Sequence, residues 1–62
     1  MKKIMIVDDN YLSAEGIEKN IDWETLNAEI VHVCYNGTSA IEAMKKEPAD
    51  LIISDFEMPD LD

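Results

Sequence analysis

The stretch Lys3–Asp9, KIMIVDD, joins an uninterrupted apolar run to a pair of acids. Successive apolar residues without polar alternation are typical of a strand that is covered on both faces of a sheet. We therefore predict strand β1 at residues 3–7. A second apolar run, Leu51–Asp55 (LIISD), also ends on an acid and predicts strand β3 at residues 51–54.

The chain between these two runs predicts two helices and one further strand. Apolar residues recur at helical spacing after Asn10, which is a suitable N-cap, and Ala40, Ile41 and Met44 share one face of a second helix after the turn Asn36-Gly37. The segment IVHVC alternates as a strand does. The predicted elements are α1 (residues 11–21), β2 (residues 30–34) and α2 (residues 38–46). Strands alternating with helices indicate right-handed βαβ units and a parallel sheet.

Composition and charge exclude several classes of protein. The chain has 62 residues, enough for one small domain, and carries 14 acidic against 5 basic residues, a net charge of −9. This charge repels phosphate backbones and anionic membranes, so we expect no direct nucleic-acid binding and no membrane association. The single cysteine, Cys34, excludes an intrachain disulfide and is typical of a cytoplasmic protein.

The acids at the strand ends predict a metal site. Asp8 and Asp9 follow β1 and Asp55 follows β3, and if β1 lies between β2 and β3, the three carboxylates converge at one edge of the sheet. Neighbouring carboxylates repel, and Mg²⁺, which prefers oxygen ligands, relieves that repulsion. We therefore predict a magnesium site open to a phosphate. The alternative is a solvated turn in which Asp9 or Asn10 caps α1.

Three motifs extend this interpretation. They are KIMIVDDN (residues 3–10), NGTSAIEAM (residues 36–44) and PADLIISDFEMPDLD (residues 48–62). Together they resemble the receiver domains of bacterial two-component response regulators. The segment IDWETLNAEIV (residues 21–31) further resembles receivers that are followed by an AraC-type DNA-binding output domain.

The resemblance implies an α/β fold, a truncated flavodoxin-like βαβαβ unit with a three-stranded parallel sheet in the order 2-1-3. It also implies that Asp55 is the phospho-acceptor and catalytic carboxylate, that Asp9 binds Mg²⁺ directly and Asp8 through water, and that the backbone carbonyl of Glu57 is a further ligand. The partner would be a sensor histidine kinase. Where the family usually has Glu after the acid pair, this chain has Asn10.

The resemblance covers only the first half of a receiver. Two further βα units of the family supply a Ser/Thr hydroxyl and a Lys that contact the phosphoryl group. We therefore expect the 62 residues alone to be inactive or weakly active as a phospho-acceptor signalling domain, rather than an enzyme. A parent protein would catalyse its own phosphoryl transfer and dephosphorylation.

Two alternative functions remain. The predicted sheet also indicates how copies of the chain would associate. One alternative is a noncatalytic interaction or assembly fragment. The other is a nucleotide-binding enzyme, disfavoured because no Gly-rich loop follows β1. An apolar β3 at the edge of a small sheet predicts a homodimer, formed through the β3 edge or through the sheet faces.

Overall fold

The computed structural model describes residues 1–54, which form a three-stranded parallel sheet with two helices. The elements are β1 (Lys2–Val7), α1 (Tyr11–Asn20), β2 (Ala28–Cys34), α2 (Gly37–Lys46) and β3 (Leu51–Ser54). The strand order is β2-β1-β3, and both pairings are parallel. The α/β class and the 2-1-3 order are confirmed. Within residues 1–54, neither helix is long and apolar enough to cross a bilayer.

Strand β3 spans the predicted residues, whereas the other four elements are displaced slightly at one end. Helix α1 ends at Asn20 because Ile21 is already extended, with φ −107° and ψ 132°. Strand β2 begins at Ala28, earlier than predicted, because Asn27 turns the chain with a φ of 56° and Ala28 then pairs with Lys2. That pairing also places Lys2 in β1. Helix α2 begins at Gly37 because Asn36 is its N-cap.

The core lies on both faces of β1. Residues 4–7 are buried, and Met5 and Val7 form a cluster with Cys34 of β2 and Ala40 of α2. Ala14 of α1 is also fully buried, and α1 packs against β1. The cluster of Met5 and Val7 includes residues of α2 but not Ala14 of α1. Right-handed crossovers that run in opposite directions along a sheet place their two helices on opposite faces, and this arrangement agrees with that rule.

The apolar face of α2 is narrower than predicted. Ala40 is buried, and Ala43 and Met44 pack against the cluster of Met5 and Cys34. Ile41, predicted on the same face, is 58% exposed. The prediction for Ile41 was wrong because α2 approaches the sheet through its small residues, which leaves the next position along the helix outside the contact.

Strand β2 has a shift in its register with β1 and is hydrogen-bonded to the end of α2. The register shifts between Ile4, which pairs with Ile30, and Met5, which pairs with His32, so Val31 has no partner in β1. The His32 Nε2 donates to the backbone carbonyl of Glu47, the C-cap of α2, at 2.9 Å. This hydrogen bond joins the middle of β2 to the C-terminal end of α2.

Candidate functional site

The site predicted from the acids lies where the strand order reverses. The first crossover leads from β1 to β2 on one side, and the second leads across β1 to β3 on the other. In open parallel sheets, ligands bind beyond the carboxyl ends of the strands at such a point. Val7, the last residue of β1, pairs with Ser54, the last residue of β3. The two strands therefore end at the same level.

Asp8 is held firmly at this edge. It is the only charged residue buried within residues 1–54, with an exposed fraction of 7%. Its backbone N–H donates to the carbonyl of Cys34 at 3.0 Å, and its Oδ1 accepts from the backbone N–H of Asn10 at 2.9 Å. Burying a carboxylate is costly unless it is partnered. These bonds fix the Asp8 carboxylate between the end of β2 and the start of α1.

Asn10 provides the helix cap. Its Oδ1 accepts from the backbone N–H groups of Leu12 and Ser13, at 2.9 and 3.1 Å, which satisfies two of the free donors at the start of α1. Asp9 is exposed. Of the two caps that the sequence left open, the structure therefore uses Asn10. Capping by Asn10 does not prevent Asp8 and Asp9 from binding a metal ion, because the two roles belong to different side chains.

A pair of tyrosines beside the acids was not predicted from the sequence. Tyr11 begins α1 and Tyr35 follows the last residue of β2, and their ring centroids are 4.3 Å apart with 52° between the planes. The available signal was the position of each tyrosine in the sequence, because Tyr35 directly follows β2 and Tyr11 follows the acid loop after β1. The pair connects the loop carrying Asp8 and Asp9 to the loop after β2.

The predicted metal ligands are only partly covered by the described residues. Asp8 and Asp9 lie within them, whereas Asp55 and Glu57 lie outside them. Among residues 1–54, no three His, Cys, Asp or Glu side chains are grouped so that they could hold a metal ion. Adjacent carboxylates at the crevice edge are nevertheless the hard oxygen donors that Mg²⁺ prefers. The donor type of this pair fits magnesium, and further ligands would have to come from elsewhere.

Cys34 and Trp23 both make contacts within the fold. Cys34 is buried, its Sγ lies 4.0 Å from the Sδ of Met5, and burial raises the pKa of its thiol, which disfavours the reactive thiolate. Trp23 lies between the end of α1 and β2, with its indole N–H donating to the carbonyl of Glu18 at 3.1 Å. Cys34 is therefore part of the core, and Trp23 is hydrogen-bonded to the last turns of α1.

Comparison with known proteins finds relatives that are named as regulatory or signal-transduction proteins. The chain is 32% identical over its whole length to the uncharacterized transcriptional regulatory protein YesN of Bacillus subtilis, covering 17% of that protein. It is 27% identical over 59 residues to the transcriptional regulatory protein HptR of Staphylococcus aureus, covering 23% of it. It is also 34% identical to hybrid signal transduction histidine kinase B of Dictyostelium discoideum, covering 3% of it. No solved structure matches significantly.

The chain thus spans less than a quarter of the length of these relatives. Residues 4–62, nearly all of it, match the family described as the response regulator receiver domain. The parallel sheet in the order β2-β1-β3, with its acids at the carboxyl edge, agrees with that match. The chain belongs to the response regulator receiver domain family.

Proposed function

We propose that this chain is the phosphoryl-accepting part of a response regulator and that Asp55 forms the acyl-phosphate. The observation that carries the proposal is the pairing of Val7 with Ser54, because Asp8 follows the first of these residues in the sequence and Asp55 follows the second. Membership of the receiver family supports the same assignment. Asp8, Asp9 and Asp55, with the backbone carbonyl of Glu57, would hold Mg²⁺.

The proposed reaction needs positioning more than a strong nucleophile. A carboxylate oxygen of Asp55 attacks phosphorus, an O–P bond forms, and the bond from phosphorus to the donor's leaving group breaks with the electron pair leaving on that group. Bound Mg²⁺ would supply charge neutralisation of the phosphoryl oxygens. The fixed Asp8 carboxylate and the exposed Asp9 carboxylate would provide oxygen donors for this cation.

The proposed partners follow from the family. A sensor histidine kinase would donate the phosphoryl group, and transcription regulation by a DNA-binding output domain would be the response in a longer protein, as the names of the regulatory relatives suggest. The cytoplasm is the proposed location. The acidic net charge of −9 argues that this segment itself does not contact nucleic acid.

The experiment is mass spectrometry of a longer natural protein that contains this chain, after incubation with acetyl phosphate and Mg²⁺. We expect a phosphoryl adduct on Asp55, lost in Asp55→Asn and retained in Asp60→Asn, a nearby acid in the same segment. The fold, followed by circular dichroism, should be unchanged in both variants. An adduct that persists in Asp55→Asn contradicts the proposal.

For the 62 residues by themselves, we propose weak Mg²⁺ binding and little stable phosphorylation, because the hydroxyl and lysine that the family resemblance implies are not among them. Running the assay on this chain and on a longer natural protein containing it tests this point. Efficient phosphorylation of the 62 residues would refute it.

A second candidate, a noncatalytic interaction fragment, is favoured by one observation. Leu51 and Ile52 of β3 are 53% and 46% exposed, as for an apolar surface that contacts another molecule. A longer protein that contains this chain, folds, and still takes up no phosphate with Mg²⁺ present would favour this candidate over the first.

A further inference from the structure

The contact between Tyr11 and Tyr35 lies at the surface of the protein. Tyr11 is 66% exposed and Tyr35 is 38% exposed, yet their ring centroids are only 4.3 Å apart and the rings are tilted by 52°. Tilted and offset ring pairs are favourable beyond the area they bury. Since so much of each ring remains in water, the pair adds little to the core, and its main effect must be local.

The tyrosine pair joins residues 8–11 to residues 34–35, two segments that a backbone hydrogen bond already connects. The backbone N–H of Asp8 donates to the carbonyl of Cys34, at 3.0 Å, and Tyr35 is the next residue after Cys34. On the other side, Asn10 accepts two helix N–H groups and is followed by Tyr11. The ring contact and the backbone hydrogen bond therefore link the same two segments, and Asp9 and Asn10 lie between the two links.

The loop of residues 8–10, which begins at the first link and ends just before the second, carries the acid pair. Asp8 is fixed by its own hydrogen bonds, but Asp9 is exposed. A ligand carboxylate that is held in its binding arrangement before the cation arrives loses less conformational freedom on binding. A contact that joins the two ends of the loop reduces the number of conformations available to Asp9.

We propose that Tyr11 and Tyr35 are positioning residues, which hold the loop of residues 8–10 in its cation-binding arrangement and so strengthen Mg²⁺ binding by the acid pair. The proposal rests on the proposed function for its metal. It concerns the rings rather than the phenol hydroxyls, because the observed contact is between the rings.

A double-mutant cycle tests the proposal with two readouts. The variants are Tyr11→Leu, Tyr35→Leu and their combination, with Mg²⁺ affinity measured by calorimetry and exchange of the Asp8 and Asn10 backbone amides measured without metal. We expect each single variant to weaken Mg²⁺ binding by roughly threefold to tenfold, the range that an aromatic pair energy converts to. The double variant should be no weaker than the single variants, because the first substitution already breaks the contact.

Matched variants separate positioning from general stability. Tyr11→Phe and Tyr35→Phe keep both rings and should retain the original affinity and exchange rates. Leu12→Ala removes an apolar side chain that is 80% exposed in the same helical turn and should change neither. Effects of the leucine variants that simply add, or a lower stability with unchanged Mg²⁺ affinity, would overturn the proposal.

The two readouts also separate this inference from the proposed function. If the original protein binds no Mg²⁺, the metal site of the proposed function fails. Faster exchange of the Asp8 and Asn10 amides in the leucine variants, but not in the phenylalanine variants, would still support loop positioning by the tyrosines. Unchanged amide exchange in both leucine variants would overturn it.

Discussion

At the scale of single residues, the acid loop shows how adjacent polar residues divide their tasks. Asp8 is buried and accepts a backbone hydrogen bond, Asn10 caps α1, and Asp9 is left exposed. Had Asp9 been the cap, its carboxylate would have been occupied by helix N–H groups. Because Asn10 is the cap instead, the carboxylate of Asp9, which the resemblance assigns to direct Mg²⁺ binding, is not used to cap α1.

A second polar cluster gives a prediction for a single carboxylate. Thr25 donates to Asp22 through its hydroxyl at 2.6 Å and through its backbone N–H at 3.2 Å, and these bonds, the hydroxyl first, lower the pKa of Asp22. We expect Thr25→Val to raise the pKa of Asp22 toward its ordinary value. NMR titration of the Asp22 carboxyl carbon measures this directly.

The sign of the associated stability change follows from the lowered pKa. A carboxyl whose folded pKa lies below its unfolded pKa stabilises the fold above the unfolded value, and the contribution is lost as pH falls through the folded value. Between the folded and the unfolded pKa of Asp22, the unfolding free energy of Thr25→Val should therefore depend less on pH than that of the original protein. Thr38→Val, a control in α2, should leave the Asp22 pKa unchanged. A Thr25→Val protein with an unaltered Asp22 pKa would contradict the assignment.

At the scale of elements, the N-cap of α2 is a point at which one side chain supports a whole helix. The Asn36 Oδ1 accepts from the backbone N–H of Ser39 at 2.8 Å, and α2 then covers the cluster of Met5, Val7 and Cys34 through Ala40. We expect Asn36→Ala to lower the free energy of unfolding by about 1 kcal/mol. Urea denaturation followed by circular dichroism measures the change.

The matched control for this prediction keeps the acceptor. Asn36→Ser retains a side-chain oxygen that can cap the helix, so its unfolding free energy should stay close to the original value. If the alanine and serine variants were destabilised equally, the cap would not be the cause. The side-chain volume or the turn before Gly37 would then have to explain the loss.

The elements themselves could be predicted from the sequence, and the reasons are local. The apolar run at residues 4–7 and the cap at Asn10 each act through neighbouring residues, so the pattern alone indicates them. The exposure of Ile41 and the register shift beside Val31 depend on how closely α2 and β2 approach β1. Tertiary packing sets these distances, and the periodicity of apolar residues in the sequence carries no information about it.

The candidate site was predictable to a similar extent. The strand pattern predicted that β1 and β3 end at one edge of the sheet, and the pairing of Val7 with Ser54 shows that the two strands end at the same level. The contact between Tyr11 and Tyr35 was missed, because two residues far apart in sequence meet only once the register of β1 with β2 is known. The roles of Asp55 and Glu57 stay predictions.

At the scale of the whole molecule, the small buried core contrasts with the apolar side chains outside it. The largest fully buried side chains are Met5, Ile6 and Val7, all on β1. Leu51 and Ile52 are about half exposed although they belong to a strand, and β3 pairs only with β1 within the described residues. An apolar strand with an unpaired edge is a template for association.

We therefore predict that the 62-residue chain forms a homodimer. Two arrangements fit: β3 edges pair across a two-fold axis, which we favour slightly, or the sheets pack through their exposed faces. Sedimentation equilibrium over a dilution series measures the state directly, and a folded monomer at low micromolar concentration would refute the prediction. Ile52→Lys should weaken the dimer, whereas Ile41→Lys, on a helix residue of comparable exposure, should not.

The charge of the chain adds a dependence on salt. Each copy carries a net charge of −9, so two copies repel at long range, and the repulsion is screened over about 8 Å at physiological ionic strength but over about 30 Å at 0.01 M. Association driven by apolar burial or strand pairing should therefore tighten as salt rises from 0.01 to 0.15 M. An interface built on ion pairs would weaken over the same range. The direction of the salt effect in sedimentation thus tells whether the apolar β3 surface, rather than charge pairing, drives assembly.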